Sequence, residues 1–336
     1  MAAVGLLAWI AVCKYLDHLP LYRIEQIAAR DGVPLARSTM GEWIGRIGAA
    51  LQPLADRLAE LLRERSCLHA DETPVRQLDP GNGKTKHAYL WAYRSNALDE
   101  GPSMVVFDYQ TSRAGAHARA FLQGWSGHLM VDDYSGYKAL FAAGPTELAC
   151  LAHIRRKFFD VHAASDSPVA NEALRHIAKL YAIEQQAAGM TPLQRLALRE
   201  QHAEPALADL HAWLLTTQRS VAAGSGTAKA IEHALKRWPA LQRYASSGSL
   251  PIDNNPVHAD IGMNRIMPTL GLCRVPGRKN KTFARIPVPG GSNCRHYQRF
   301  SRKTSKVSGG LYRTGAMPFA LACASARSLS RMSACR

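Results

Sequence analysis

The sequence predicts an α/β fold, a mixed β-sheet with helices on its faces, joined to an N-terminal helical segment and carrying a helical insertion. Three observations support this. From Cys67 to Gln110, strand-like runs rich in Tyr, Trp and Val follow one another, and the first two are separated by the turn-forming stretch Asp79–Lys84, which predicts antiparallel pairing. From Ala116 to Ala164, strand-like and helix-like runs alternate. Residues 169–245 keep a helical spacing that no strand pattern interrupts. A chain of 336 residues can bury a large core and hold two or three subdomains.

Taken in order, residues 3–17 form a short apolar helix. Its opening, MAAVGLLAWIAVC, has no basic start and is interrupted by Lys14 and Asp17. It is too short to span a bilayer, so it packs on protein and no membrane partner is expected. Residues 22–64 predict two helices. Ile24, Ile27 and Ala28 line the first, which Gly32 stops. Thr39 and Glu42 suit a capping box for the second, and Pro53 should bend or divide it. Helix, turn, helix over Ile24 to Arg46 fits either a DNA-reading unit or a lead-in packed on the next domain, the second kind of pair being commoner.

Strands follow at Cys67–Leu78, Lys86–Ser95, Ser103–Gln110, His128–Asp133 and Thr146–His153, with helices at Ala116–Trp125 and Ile154–Ala164. The insertion reads as helices over 169–190, 191–215 and 228–244, with Thr191-Pro192 as a cap and first-turn proline. The expected organisation is a helical lead-in (1–66), a sheet core (67–165), the insertion (166–250), a short motif (251–257) and a basic tail (258–336) without a packed core.

Charge is unevenly spread. The chain carries 42 Lys and Arg against 26 Asp and Glu, a net +16, which favours a polyanionic partner. After Val257 there are 15 basic residues and one acid, Asp260, a net +14; residues 1–257 carry only +2. The basic character is therefore mostly the tail's. Seven cysteines show no paired Cys-x-x-Cys spacing, and Cys13, Cys67 and Cys150 sit in apolar surroundings, as reduced core thiols of a cytoplasmic protein would.

Two acids stand out: Asp71 at the end of a first buried strand and Asp132 at the end of another. Each alone reads more often as a turn-capping acid than as a functional one. Together, on one sheet, they suggest a Mg²⁺ (or Mn²⁺) site for phosphoryl chemistry on nucleic acid, because such ions take hard oxygen ligands.

The words HADETPV, VDDYSGYKALF, CLAHIRRKFF and IDNNPV together resemble the insertion-sequence-66 family of bacterial transposases, over residues 1–257. The resemblance implies a ribonuclease-H-like fold, DDE chemistry and metal-dependent cutting and joining of DNA. Transposon ends and target DNA would be partners, with a homo-oligomer when active and accessory proteins of the same element. It places the first catalytic and metal-binding acid on Asp71. The second falls on Asp132, in an Asp-x-Tyr-x-x-Tyr word completed by Tyr134 and Tyr137. A Cys-x-x-His pair falls on Cys150 and His153; taken alone, it reads as a buried thiol and a helix-capping histidine. Arg155, Arg156 and Lys157 either contact phosphate or form a solvated basic turn.

Asp253-Asn254-Asn255 opens the third motif, but His258 stands where the family has its third acid. The helix and the Gly-Arg-Lys-Asn word that should follow closely are not expected here, the word at Gly277–Asn280 lying too far downstream. A frameshift at or beside codon 258 would account for the tail, and full members have a further N-terminal region ahead of this start. The expected function is DNA transposition with activity absent or very weak. The alternatives are a non-catalytic remnant that binds DNA or an intact transposase, and a protein with no retained function.

Overall fold

The computed structural model describes residues 2–79 and 84–266. Its centre is a five-stranded mixed sheet in the order β3-β2-β1-β4-β5. Strands β1 (Cys67–Asp79), β2 (Lys84–Ser95) and β3 (Val105–Gln110) form an antiparallel meander. Strands β4 (His128–Val131) and β5 (Thr146–Ala149) continue the sheet in parallel.

β1 runs to Asp79, one residue past the strand read over Cys67–Leu78, so Asp71 does not stand at its end as expected. Its outer half stays paired to β2 along the whole hairpin, whereas β4 pairs only with Cys67–His69. Asp71 therefore lies mid-strand, at the step where the sheet narrows. The strand carries it past the end of β4 because β2 alone satisfies the backbone there.

Alternation divides the strands between two cores. Leu68, Ala70, Trp91, Tyr93, Leu129 and Val131 face one side, packing with α3 (Arg37–Arg63) and α4 (Ala116–Phe121). Cys67, Met130 and Leu148 face the other, where α6 (Leu151–Ser165) and the insertion cover the sheet. A short 3₁₀ turn and α5 (Lys138–Phe141) link β4 to β5.

Helices α1 (Val4–Tyr15) and α2 (Leu21–Arg30) gather with the start of α3 around buried Ile10, Cys13, Ile24 and Met40. The far end of α3 packs Ala59 and Leu62 onto the sheet, as a packed lead-in requires. The expected capping box is not formed. α3 begins at Arg37, which puts Thr39 and Glu42 inside the helix, and Glu42 accepts instead from Arg46 at 2.6 Å. Nor does Pro53 divide α3, which is continuous through it. Among the described residues no helix is long and apolar enough to cross a membrane.

The insertion comprises α7 (Pro168–Gln186), α8 (Pro192–Leu198), a π-helical turn (Arg199–Ala203), α9 (Glu204–Gln218) and α10 (Gly226–Gln242). Thr191 makes a full capping box with Gln194. Buried Arg199 bonds Glu184 through Nε and Nη2 at 2.9 and 2.7 Å and donates to the carbonyls of Tyr244 and Ser247. Arg195 donates to the Gly248 carbonyl at 2.8 Å. These bonds anchor the segment that leads to Asp253.

A helix, α11 (Asn255–Ile266), does follow Asp253. Asp253 Oδ1 accepts from the Asn255 N–H at 3.0 Å, closing the turn that starts it. Val257 and Ile261 bury against Ala92 and Phe107 of the sheet. Ordered structure thus continues through His258, where the tail was expected to begin. The Gly-Arg-Lys-Asn word and the rest of the tail lie outside the described residues.

Candidate functional site

The site forms where the sheet narrows. The parallel register sets His69 beside Met130, and Asp71 and Asp132 each lie two residues beyond that last paired position; both carboxylates act on the same imidazole, His153. Asp132 lies just past the end of β4, where its Oδ1 accepts from the Tyr134 N–H at 2.9 Å and its carbonyl accepts from Arg237 Nη2 at 3.1 Å. Neighbouring Asp133 lies near His233, Lys236 and Arg237 at 3.4–3.8 Å.

The third motif closes over this pair. Asn254 is fully buried. Its Oδ1 lies 2.9 Å from His69 Nδ1, its Nδ2 donates to the Ala70 carbonyl at 2.9 Å, and its N–H meets Cys150 Sγ at 3.2 Å. The two side-chain bonds fix the amide orientation and put the His69 proton on Nδ1. Burial holds the His69 pKa down to about 4, so the ring is neutral. Asp253 Oδ2 accepts from Tyr181 at 2.9 Å and Asn255 Nδ2 at 2.7 Å. The three motif residues thus dock α11 on β1 and α7, and the Asp253 carboxylate is taken up in that docking.

Docked in this way, α11 presents His258 to Asp71, with Nδ1 3.0 Å from Oδ2. The His153 ring, in the first turn of α6, lies 5.2 Å from the His258 ring. Burial lowers the His153 pKa, with Asp132 pulling it up and His258 pushing it further down. Among the described residues, His258 Nε2 and His153 Nδ1 are buried without a hydrogen-bond partner. Asp260, two residues further along α11, pairs with Arg94 of β2 at 2.7 Å.

The Cys-x-x-His pair is split between two tasks. Cys150 is the residue ahead of α6, with its thiol pushed up to about 11 by burial, and it supports Asn254. His153 belongs to the acid cluster. Arg155, Arg156 and Lys157 are exposed on α6, beyond His153.

Sequence reasoning missed Glu72. Its side chain is wholly buried on the sheet face opposite Asp71. Arg113 donates to Oε1 at 2.9 and 2.6 Å, and Tyr137 donates to Oε2 at 3.0 Å. Arg113 also lies 3.9 Å over the Tyr134 ring, and Tyr134 donates to the Arg113 carbonyl. The two tyrosines of the Asp-x-Tyr-x-x-Tyr word therefore tie the loop after Asp132 to the strand that holds Asp71. Gly115 and Gly136 let the two loops touch, since a Cβ on Gly115 would strike the Gly136 carbonyl. Burial, opposed by Arg113 and reinforced by Asp132 and Asp71, raises the Glu72 pKa to about 7. The available signal was a carboxylate in phase with Leu68 and Ala70 on the apolar face; Arg113 gave none.

A divalent hard cation is the group this arrangement would be expected to hold. The donor chemistry fits only in part. Asp71 and Asp132 offer carboxylate oxygens, but the third position offers an imidazole, a poor Mg²⁺ ligand. One oxygen of Asp71 is already engaged by it. Among the described residues no group of three or more His, Cys, Asp or Glu side chains is arranged to hold a metal ion.

Comparison with known proteins gives a consistent picture. The family described as "Transposase IS66 family" matches residues 1–268, ten residues beyond His258. Three proteins of Sinorhizobium fredii (strain NBRC 101917 / NGR234) are similar. Uncharacterized protein y4qI is 38% identical over 290 residues, 83% of this chain and 52% of its own length. Uncharacterized protein y4jD is 36% identical over 84% of this chain and 55% of its own length. Uncharacterized protein y4hP is 30% identical over 83% and 52%. The chain spans about half the length of these relatives.

Proposed function

Because the chain belongs to the IS66 family of transposases, we propose that it is the central part of a DDE transposase, ribonuclease-H-like in fold, whose strand-transfer centre is disarmed at its third acid. The observation that carries this reading is the docking of α11. Asp253, Asn254 and Asn255 bring the helix onto β1, and the side chain it delivers beside Asp71 is His258. The mixed five-stranded sheet supports the fold assignment, and the action of both Asp71 and Asp132 on His153 supports the site assignment.

In a complete site, bound Mg²⁺ or Mn²⁺ would activate the attacking water or hydroxyl and stabilise the leaving oxygen. The donors present here do not complete such a site, so no step is routed through it. What the chain retains is positioning. Asn254 fixes α11, the tyrosine loop fixes Asp132, and exposed Arg155, Arg156 and Lys157 are available to phosphate. The function that follows is binding of transposon-end DNA, or of an intact transposase in a mixed oligomer, without cutting. Accessory proteins of the same element and the cytoplasm complete the proposed setting.

The test is a supercoiled donor plasmid carrying the element's ends, incubated with the chain and Mg²⁺ or Mn²⁺, beside a binding assay on end duplexes. Retained binding without cleavage is the expected result. Full cleavage by the unaltered chain would show that another acid serves as third ligand.

A further inference from the structure

The imidazole at the third position does more than fail to bind a cation. His258 Nδ1 reaches the same Asp71 carboxylate that a cation would need, at 3.0 Å, and the rest of the helix is held in register for that contact. Asn254 docks one end of α11 on His69 and Ala70, and the Arg94–Asp260 pair at 2.7 Å docks it beyond His258. The backbone that carries Asp71 is fixed in turn, because β1 is paired to β2 before and after it. The His153 ring lies 5.2 Å from that of His258, tilted to it by 51°.

We infer that His258 is a built-in replacement for the cation: it hydrogen-bonds Asp71 in the ion's place and leaves the Asp71–Asp132 pair closed to Mg²⁺ and Mn²⁺. In its neutral form the ring donates Nδ1–H to Asp71 and leaves only the buried nitrogen Nε2 as a ligand, a donor that hard ions take poorly. In its protonated form it is itself the positive charge beside the carboxylate. Either form satisfies Asp71 without an ion. The inference deepens the proposed function and rests on its placement of the site, but it is independent of whether the chain binds DNA.

The experiment therefore contains no DNA. The full chain is titrated with Mn²⁺, and free hexaaqua Mn²⁺ is counted by electron paramagnetic resonance, for wild type, Asp71→Asn, His258→Glu and His258→Glu/Asp71→Asn. Wild type is expected to take up no Mn²⁺ that Asp71→Asn abolishes. His258→Glu is expected to bind one equivalent at least about tenfold more tightly, since it adds a hard oxygen ligand on a helix already docked. Asp71→Asn in that background should remove the gain. Mn²⁺ should also raise the thermal midpoint of His258→Glu and leave that of wild type unmoved. Asp71-dependent uptake of Mn²⁺ by wild type would overturn the inference without recourse to any position-258 variant. So would a Co²⁺ absorption spectrum of wild type that is lost in His258→Ala, which would make the cluster a site for softer ions.

Discussion

Glu72 shows how much a single side chain can carry unseen. It sits one residue from Asp71 yet on the other face, where Arg113 and Tyr137 hold it. Its folded pKa of about 7 lies above its ordinary value of 4.5. A raised acid favours the protonated form in the native state. Its stabilising contribution is thus complete below about pH 4.5 and is lost as pH rises through 7. Glu72→Gln mimics the neutral acid. Between pH 5 and pH 8 the difference in urea unfolding free energy should move by about 2–3 kcal/mol in the variant's favour. A difference that stays flat over that range would mean that Glu72 is ionised throughout by Arg113. At this scale the sequence was legible where chemistry was unusual and local. Asp71, Asp132 and the odd His258 stood out, whereas Arg113 meets Glu72 only through a loop contact that no spacing announces.

Elements were more legible in kind than in extent. All five strands were read, because β-branched and aromatic alternation marks them, and β1 keeps nearly its expected extent, but β5 stops at Ala149 rather than His153 because α6 takes up Leu151–His153. α11 was missed because the family word that should accompany it is displaced. What specifies the helix instead is the Asp253–Asn255 turn and the burial of Val257 and Ile261. Asn254→Ala would strand the His69 Nδ1–H and the Ala70 carbonyl, both buried. The expected loss is about 2–4 kcal/mol in chemical denaturation, with faster hydrogen exchange along α11. Exchange in α11 no faster than in wild type would show that apolar packing alone docks it. In the insertion, Arg199→Ala leaves Glu184 without its buried partner and frees the carbonyls of Tyr244 and Ser247. A cost of about 3–5 kcal/mol is expected, and replacing Arg199 and Glu184 together by apolar residues should recover part of it.

For the whole molecule the governing quantity is the distribution of charge. Up to Ile266 the chain carries a net +2, while the 70 residues beyond hold fourteen basic residues and no acid. Association with duplex DNA of arbitrary sequence should therefore depend mainly on those residues. Each phosphate neutralised releases condensed counterions, so the logarithm of the binding constant falls with the logarithm of salt by about 0.9 per contact. If roughly half of the fourteen engage phosphate, the slope is about −6, and affinity should drop on the order of a thousandfold or more between 50 and 200 mM salt. A chain ending at Ile266 keeps α11 and the whole sheet. It should bind random duplex weakly, with a slope nearer −2 set by exposed groups such as Arg155, Arg156 and Lys157. Fluorescence anisotropy of both chains over a salt series, on random and transposon-end duplexes, separates the two sources. Equal slopes would move the DNA contacts onto the described fold. A steep slope in the full chain alone, with end preference surviving in the shorter one, would assign non-specific attraction to the basic residues beyond Ile266 and recognition to the residues before them.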